Sequence, residues 1–109
     1  MVNEKDRGVN LVKNGDRLFV RIDYRNNNKD FGNNDFDDHI GYLTKISAER
    51  FFIGGGFENK KGGMIIFKAR NLNEAKKIAE NDPLIKRELY TYEIYEWNLV
   101  LISEELRKL

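Results

Sequence analysis

The chain has 109 residues, enough for one domain, and its 40% apolar and 34% charged residues are typical of a globular protein rather than a disordered or membrane-embedded one. Nineteen basic residues against eighteen acidic ones leave too small a positive excess to favour nucleic acid as a partner. The absence of cysteine excludes disulfides, thiol nucleophiles and zinc–thiolate sites.

Residues 1–16 form a polar extension ahead of the predicted domain. Residues 9–12 and the Asn14-Gly15 pair are compatible with a small hairpin, because Asn-Gly favours a type I′ turn, and equally with a loose lead-in. The start of the chain lacks the apolar core of a signal peptide, and no apolar run is long enough to span a bilayer. We therefore expect a cytoplasmic protein that does not bind membranes.

The first strand and the first helix are separated by a long polar loop. The strand is predicted from alternation of Leu18, Val20, Ile22 and Tyr24 with Phe19, Arg21 and Asp23. The tract 25–36, rich in Asn, Asp and Gly, is either a solvated insertion or a functional loop. From Asp37, apolar residues at helical spacing predict the first helix, with Asp35 or Asp37 as its cap.

A hairpin follows the first helix. Its strands are predicted at 51–57 and 63–69, joined by a turn over 58–63, and the first of them ends in Gly54-Gly55-Gly56. This glycine triplet precedes a turn rather than a helix and fits no phosphate-binding pattern, so it indicates a β-bulge or a close approach of a helix to the sheet.

The second helix and the fourth strand complete the predicted domain, which spans 17–101. Asn71 stands three residues before Glu74 and caps the helix, and Asp82-Pro83 ends it, because proline restricts the residue before it. Aromatic and branched residues from 90 to 101 predict a strand. The C-terminal tail, 102–109, is predicted to add a final turn of helix.

The element order β-α-β-β-α-β predicts an α+β, ferredoxin-like fold: an antiparallel four-stranded sheet with two helices on one face. The fourth strand is apolar on both sides, with Tyr90, Tyr92 and Ile94 on one and Tyr95, Trp97 and Leu99 on the other. We expect Phe19 and, on alternating positions, either Phe52 or Ile65 and Phe67 to add to a second apolar surface. Because large apolar patches mark interfaces, the sequence predicts a homodimer joined through sheet faces. An aromatic platform that stacks on single-stranded nucleic acid is disfavoured by the lack of basic excess.

The candidate chemistry rests on His39, the only histidine, at the start of the first helix. In this topology the start of the first helix and the end of the second share one edge of the sheet, so Asp82 is predicted to orient His39. The loop 25–36 and the glycine strand end converge on the same rim. Alternatively, His39 is a partly buried surface residue, and Asp37 and Asp38 compete as partners or serve as caps. One histidine with scattered carboxylates predicts no metal site and no cofactor.

The pattern of a helix with AxxxA, then DP, a turn and a YEIxxW strand resembles the YciI-like (YCII-related) family. This resemblance spans about 17–101 and implies a dimeric α/β barrel. It also implies a catalytic His–Asp dyad at His39 and Asp82, and it places the glycine of the family's AGP strand end, a ligand-binding position, on Gly55. The sequence departs from that motif, with glycine in place of its alanine and its proline. Some family members are associated with lyase-type elimination.

Two functional hypotheses follow. The first is a small-molecule enzyme that uses His39 as general acid–base, oriented by Asp82, with a small organic ligand bound at the His39 rim. The second is a non-catalytic dimeric module that binds a small ligand or a protein at the same cleft.

Overall fold

The computed structural model of the chain describes residues 12–107, and the predictions made for 1–11 and 108–109 lie outside the described residues. The elements are β1 (Arg17–Arg25), α1 (Asp35–Ser47), β2 (Phe52–Gly56), β3 (Gly63–Phe67), α2 (Leu72–Glu80), α3 (Pro83–Lys86), β4 (Tyr90–Asn98) and α4 (Glu104–Arg107). The strands pair antiparallel in the order β2-β3-β1-β4, which confirms the ferredoxin-like prediction. Within this described part, no helix is long and apolar enough to cross a bilayer.

The main core lies on the face of the sheet that the helices cover. Phe19 of β1 pairs with Phe67 of β3, and Ala75 of α2 packs in the same cluster. All three are at most 2% exposed. The expectation that Phe19, with either Phe52 or Ile65 and Phe67, belongs to a second apolar surface is therefore wrong, because the strand register places all of them beneath the helices.

The opposite face of the sheet, here called the open face, carries apolar side chains with little covering them. Its residues include Val20, Ile22, Ile53, Met64, Tyr95 and Trp97. Val12 and Leu99 pack with Leu18 and cover one end of this face. Elsewhere Ile53 is 60%, Tyr95 50% and Trp97 45% exposed. The strand pattern on β4 agrees with the prediction that both faces of the sheet are apolar.

Near the start of the described chain, residues 13–16 form a tight turn. Asp16 N donates to the carbonyl oxygen of Lys13, and Gly15 has a φ of 90°. Gly15 N donates to the carbonyl oxygen of Leu99, and Leu99 N donates to that of Asp16. The other half of the predicted hairpin, residues 9–11, is not described.

The helix starts differ in how well the sequence predicts them. Asn71 caps α2 as expected, with its side chain accepting a hydrogen bond from Glu74 N at 2.9 Å. The cap predicted for α1 is wrong: its N-cap is Asn34, which makes no side-chain capping bond, and the Asp35 carboxylate instead accepts from Gly32 N at 2.6 Å. The short helix α3 was not predicted, although Asp82-Pro83 is itself a helix-start signal.

The glycine triplet lies in a regular strand. Pairing between β2 and β3 is unbroken from Phe52 with Phe67 to Gly56 with Gly63, so the β-bulge, one of the two predicted alternatives, is absent. Gly62 is a glycine that the hairpin requires: it has a φ of 106°, and a Cβ there would lie 2.2 Å from the carbonyl oxygen of Asp23. This close approach brings the hairpin turn against β1.

Candidate active site

The structure brings His39 and Asp82 together. His39 lies in the first turns of α1, and Asp82 is the N-cap of α3. The Nδ1 atom of His39 is 2.8 Å from each carboxylate oxygen of Asp82. Asp82 is fully buried and His39 is 8% exposed. The two elements named by the topological argument thus meet at one rim of the sheet.

Local sequence explains why Asp82 takes this position. Its side chain caps α3, because Oδ1 accepts a hydrogen bond from Leu84 N at 3.0 Å, and Pro83 occupies the first helical position, where no backbone donor is needed. The end of α3 is tied to the start of α1 by Arg87, which donates to Asp35 at 2.7 Å and Asp38 at 2.8 Å. Asp38 is therefore bonded to Arg87, and the partner of His39 is Asp82.

Two charged residues of β1, Arg21 and Asp23, complete a buried network. Arg21 Nη2 donates to Asp82 Oδ2 at 2.9 Å and to Asp23 Oδ2 at 3.0 Å, and its Nε donates to Asp23 Oδ1 at 2.7 Å. Arg21 is 1% and Asp23 3% exposed. Sequence reasoning missed both residues, although the signal was present: they lie two and four residues after Phe19 in the same strand and so face the same side of the sheet.

The charges of the network are unequal. One guanidinium serves two carboxylates, so the network carries one excess negative charge when His39 is neutral. Burial alone would raise the pKa of Asp82, but the hydrogen bond from His39 and the charge of Arg21 together hold it below its ordinary value. Burial raises the pKa of Asp23 above its ordinary value, since Arg21 offsets this only in part and Asp82 adds repulsion.

The ring of His39 forms part of the wall of a cleft between α1 and β2, here called the α1–β2 cleft, with a volume of about 470 Å³. Its apolar lining includes Phe36, Ile40, Leu43, Phe52 and Ile65, and its polar lining includes Asp23, His39 and Tyr90. Because Nδ1 is held by Asp82, the second ring nitrogen, Nε2, remains for a ligand. Nε2 has no hydrogen-bond partner among residues 12–107 and is not a buried unpaired atom, so it is accessible.

The third predicted site residue, Gly55, also lines this cleft. A Cβ at Gly55 would meet nothing within 4 Å, so packing does not require glycine there and its ligand-binding role stays a prediction. The first turn of α1 contributes Phe36, whose ring lies 5.9 Å from that of His39. Across the described residues, no group of three or more His, Cys, Asp or Glu side chains could hold a metal ion.

A family model for the YCII-related domain matches residues 18–98. The chain belongs to the YCII-related family. Among solved structures, it is similar to 5-chloro-2-hydroxyhydroquinone dehydrochlorinase (TftG) from Burkholderia phenoliruptrix AC1100 in complex with 2,5-dihydroxybenzoquinone, with a TM-score of 0.52 and 21% identity. The match covers 74% of this chain and 93% of that one, and it supports the fold assignment. No curated protein matches this chain.

Proposed function

We propose that this YCII-related protein is a small-molecule enzyme in which His39 acts as general acid–base and Asp82 orients it. The observation that carries the proposal is the contact between His39 Nδ1 and the buried Asp82 carboxylate, in a histidine that lines the α1–β2 cleft and whose Nε2 has no partner among residues 12–107. A base held in one orientation beside a mostly apolar cleft is the arrangement that proton transfer to or from a bound organic molecule requires.

The protonation states of the pair follow from the contacts of Asp82. Arg21 and Leu84 N both donate to this carboxylate, and its pKa is lowered, so it is ionised and can only accept hydrogen bonds. Nδ1 of His39 therefore carries its proton, and Nε2 of the neutral ring holds a lone pair. When Nε2 takes a proton from a substrate, the imidazolium offsets the excess negative charge of the network.

The proposed reaction class is a lyase-type elimination. His39 Nε2 removes a proton from the substrate, the electron pair released forms a double bond, and the leaving group departs with the pair from its own bond. The similar TftG structure is named a dehydrochlorinase, which supports testing elimination of hydrogen chloride first. The backbone of Gly55, which lines the α1–β2 cleft, is proposed to contact the ligand.

The direct test is chloride release from 5-chloro-2-hydroxyhydroquinone and from related halogenated hydroxy-arenes. His39→Asn and Asp82→Asn should each lower turnover by about 10²- to 10⁴-fold, and the double variant should lose little more than either single one, because the two residues act as a unit. Asp38→Asn is the matched control, since its carboxylate binds Arg87 rather than His39 and turnover should be nearly unchanged.

Two outcomes would contradict the proposal. One is turnover that persists in folded His39→Asn protein. The other is binding of these compounds with no turnover in the wild type, which would favour the alternative function, a non-catalytic ligand-binding or protein-interaction module.

We also propose that the functional unit is a homodimer joined through the open faces. The large exposed side chains of Ile53, Tyr95 and Trp97 lie on this face, and a second copy would cover them. The α1–β2 cleft lies on the helix side of the sheet, so such a dimer would leave access to His39.

A further inference from the structure

Tyr90 is a polar residue of the α1–β2 cleft that the proposed His39–Asp82 pair does not use. It opens β4 and pairs with Arg25 of β1, so its side chain lies on the same face of the sheet as Asp23. Its ring packs against Phe31 at 5.9 Å between centroids, and the Arg25 guanidinium lies 4.3 Å from the centre of the Phe31 ring. The tyrosine ring is thus held by the strand and by the 25–36 loop.

The hydroxyl of Tyr90 is available to a ligand. Every carboxylate oxygen of Asp23 and Asp82 already accepts hydrogen bonds from Arg21, His39 or Leu84 N, and the Tyr90 hydroxyl forms no hydrogen bond within the described part of the chain. It is also absent from the buried, unpaired polar atoms, so it reaches open space.

The surroundings keep this hydroxyl protonated. Burial raises the pKa of Tyr90, and the nearby carboxylate of Asp23 raises it further, since a phenolate would be repelled there. Tyr90 is therefore a hydrogen-bond donor at neutral pH rather than a base.

We propose that Tyr90 orients the ligand by donating a hydrogen bond to its oxygen, and that the ligand class is small, neutral ring compounds bearing a hydroxyl or carbonyl group. This assignment rests on the proposed function of the same site. The apolar wall, with Phe36 and Phe52, suits a ring, and the excess negative charge of the buried network disfavours an anion.

The proposed step begins with a proton transfer from the ligand to His39. The proton leaves a carbon or oxygen of the ligand for His39 Nε2, and the electron pair left behind is held on the ligand oxygen that Tyr90 contacts. That pair then forms the double bond, and the leaving group departs with the pair from its own bond. Tyr90 keeps its own proton, and its hydrogen bond strengthens as that oxygen becomes negative. The tyrosine thus stabilises the charge that His39 creates, while Asp82 stabilises the imidazolium.

The experiment is an NMR titration with phenol and with toluene, which has a methyl group where phenol has its hydroxyl. Tyr90→Phe should weaken phenol binding about three- to tenfold, the range expected for one hydrogen bond, and leave toluene binding unchanged. The matched control is Tyr92→Phe: Tyr92 is on the same strand and face, but its hydroxyl donates to Glu80 at 3.1 Å, outside the cleft. Tyr92→Phe should change neither the affinity for phenol nor the affinity for toluene.

Each other outcome overturns part of the proposal. If Tyr90→Phe weakens the binding of phenol and toluene equally, Tyr90 has a packing role only. If Tyr90→Phe leaves phenol binding unchanged, Tyr90 does not donate a hydrogen bond to the ligand. Benzoate binding more tightly than phenol, or phenol causing no shifts at cleft residues, would overturn the ligand class. The proton-transfer function is judged separately, by chloride release in the His39 variants.

Discussion

The two faces of the sheet differ in what they bury and what they expose. On the face beneath the helices, Arg21 and Asp23 are almost completely buried although both are charged. On the open face, Tyr95 and Trp97 are about half exposed although both are large and aromatic. In each case the residue type is the opposite of what its surroundings favour in a monomeric globular protein.

The buried charges on one face and the exposed aromatic residues on the other are not explained by the stability of a monomer alone. A buried ion pair is often no more stabilising than well-packed apolar residues of the same volume, so folding stability is a weak reason to keep Arg21 and Asp23. Their link to Asp82, and through it to His39, is a better reason. The exposed aromatics are explained instead by a partner surface, for which the proposed second copy is the simplest occupant.

The largest effect is expected on the covered face, from Arg21→Met. Methionine fills a similar volume but leaves Asp23 and Asp82 buried without their shared cation, so the free energy of unfolding should fall by about 3–5 kcal/mol. Urea denaturation measures this. The control is Arg17→Met on the same strand, because the Arg17 side chain is 71% exposed and its ion pair with Glu96 is a surface contact. A loss as small as that of the control would show that the network is not coupled to the fold.

How much of the fold and of the site could be predicted from the sequence depends on how far apart in the chain the interacting residues lie. The fold followed from local patterns, such as the Asn71 cap and the alternation along β4, because each pattern depends on near neighbours. The meeting of His39 and Asp82 followed from topology. The Arg21 network could not be predicted in the same way, because the partner of a buried arginine is fixed by three-dimensional packing across 61 residues of chain.

The open face provides the second prediction, a change in assembly. Trp97→Lys should convert the proposed dimer to a monomer, because a buried, unpaired ammonium would lie between the joined faces. Light scattering at micromolar concentration measures the mass. Glu96→Lys is the control: it places a lysine one residue away, on the other side of β4, and should leave assembly unchanged although it changes the net charge by two units rather than one. A monomeric wild-type protein would refute the dimer.

The smallest effect is expected for Asp23→Asn, and it depends on pH. The pKa of Asp23 is raised in the folded chain, so protonation of Asp23 favours folding. This contribution is lost as pH rises from below the ordinary pKa of 3.8 through the folded pKa. Asparagine does not titrate. The free energy of unfolding of Asp23→Asn, minus that of the wild type, should therefore increase across this window and then level off.

Asp82 serves as the control, because the pH dependence of its contribution to stability has the opposite sign to that of Asp23. Its pKa is lowered in the folded chain, so its contribution is present above the unfolded value and is lost as pH falls through the folded pKa. Relative to the wild type, Asp82→Asn should lose stability as pH rises towards 3.8. Urea denaturation of the three proteins between pH 3 and 7 makes the comparison. If the stability of Asp23→Asn relative to the wild type instead falls as pH rises, Arg21 stabilises ionised Asp23 more than burial destabilises it. The pKa values of the two carboxylates that share this guanidinium would then be shifted in the same direction in the folded chain.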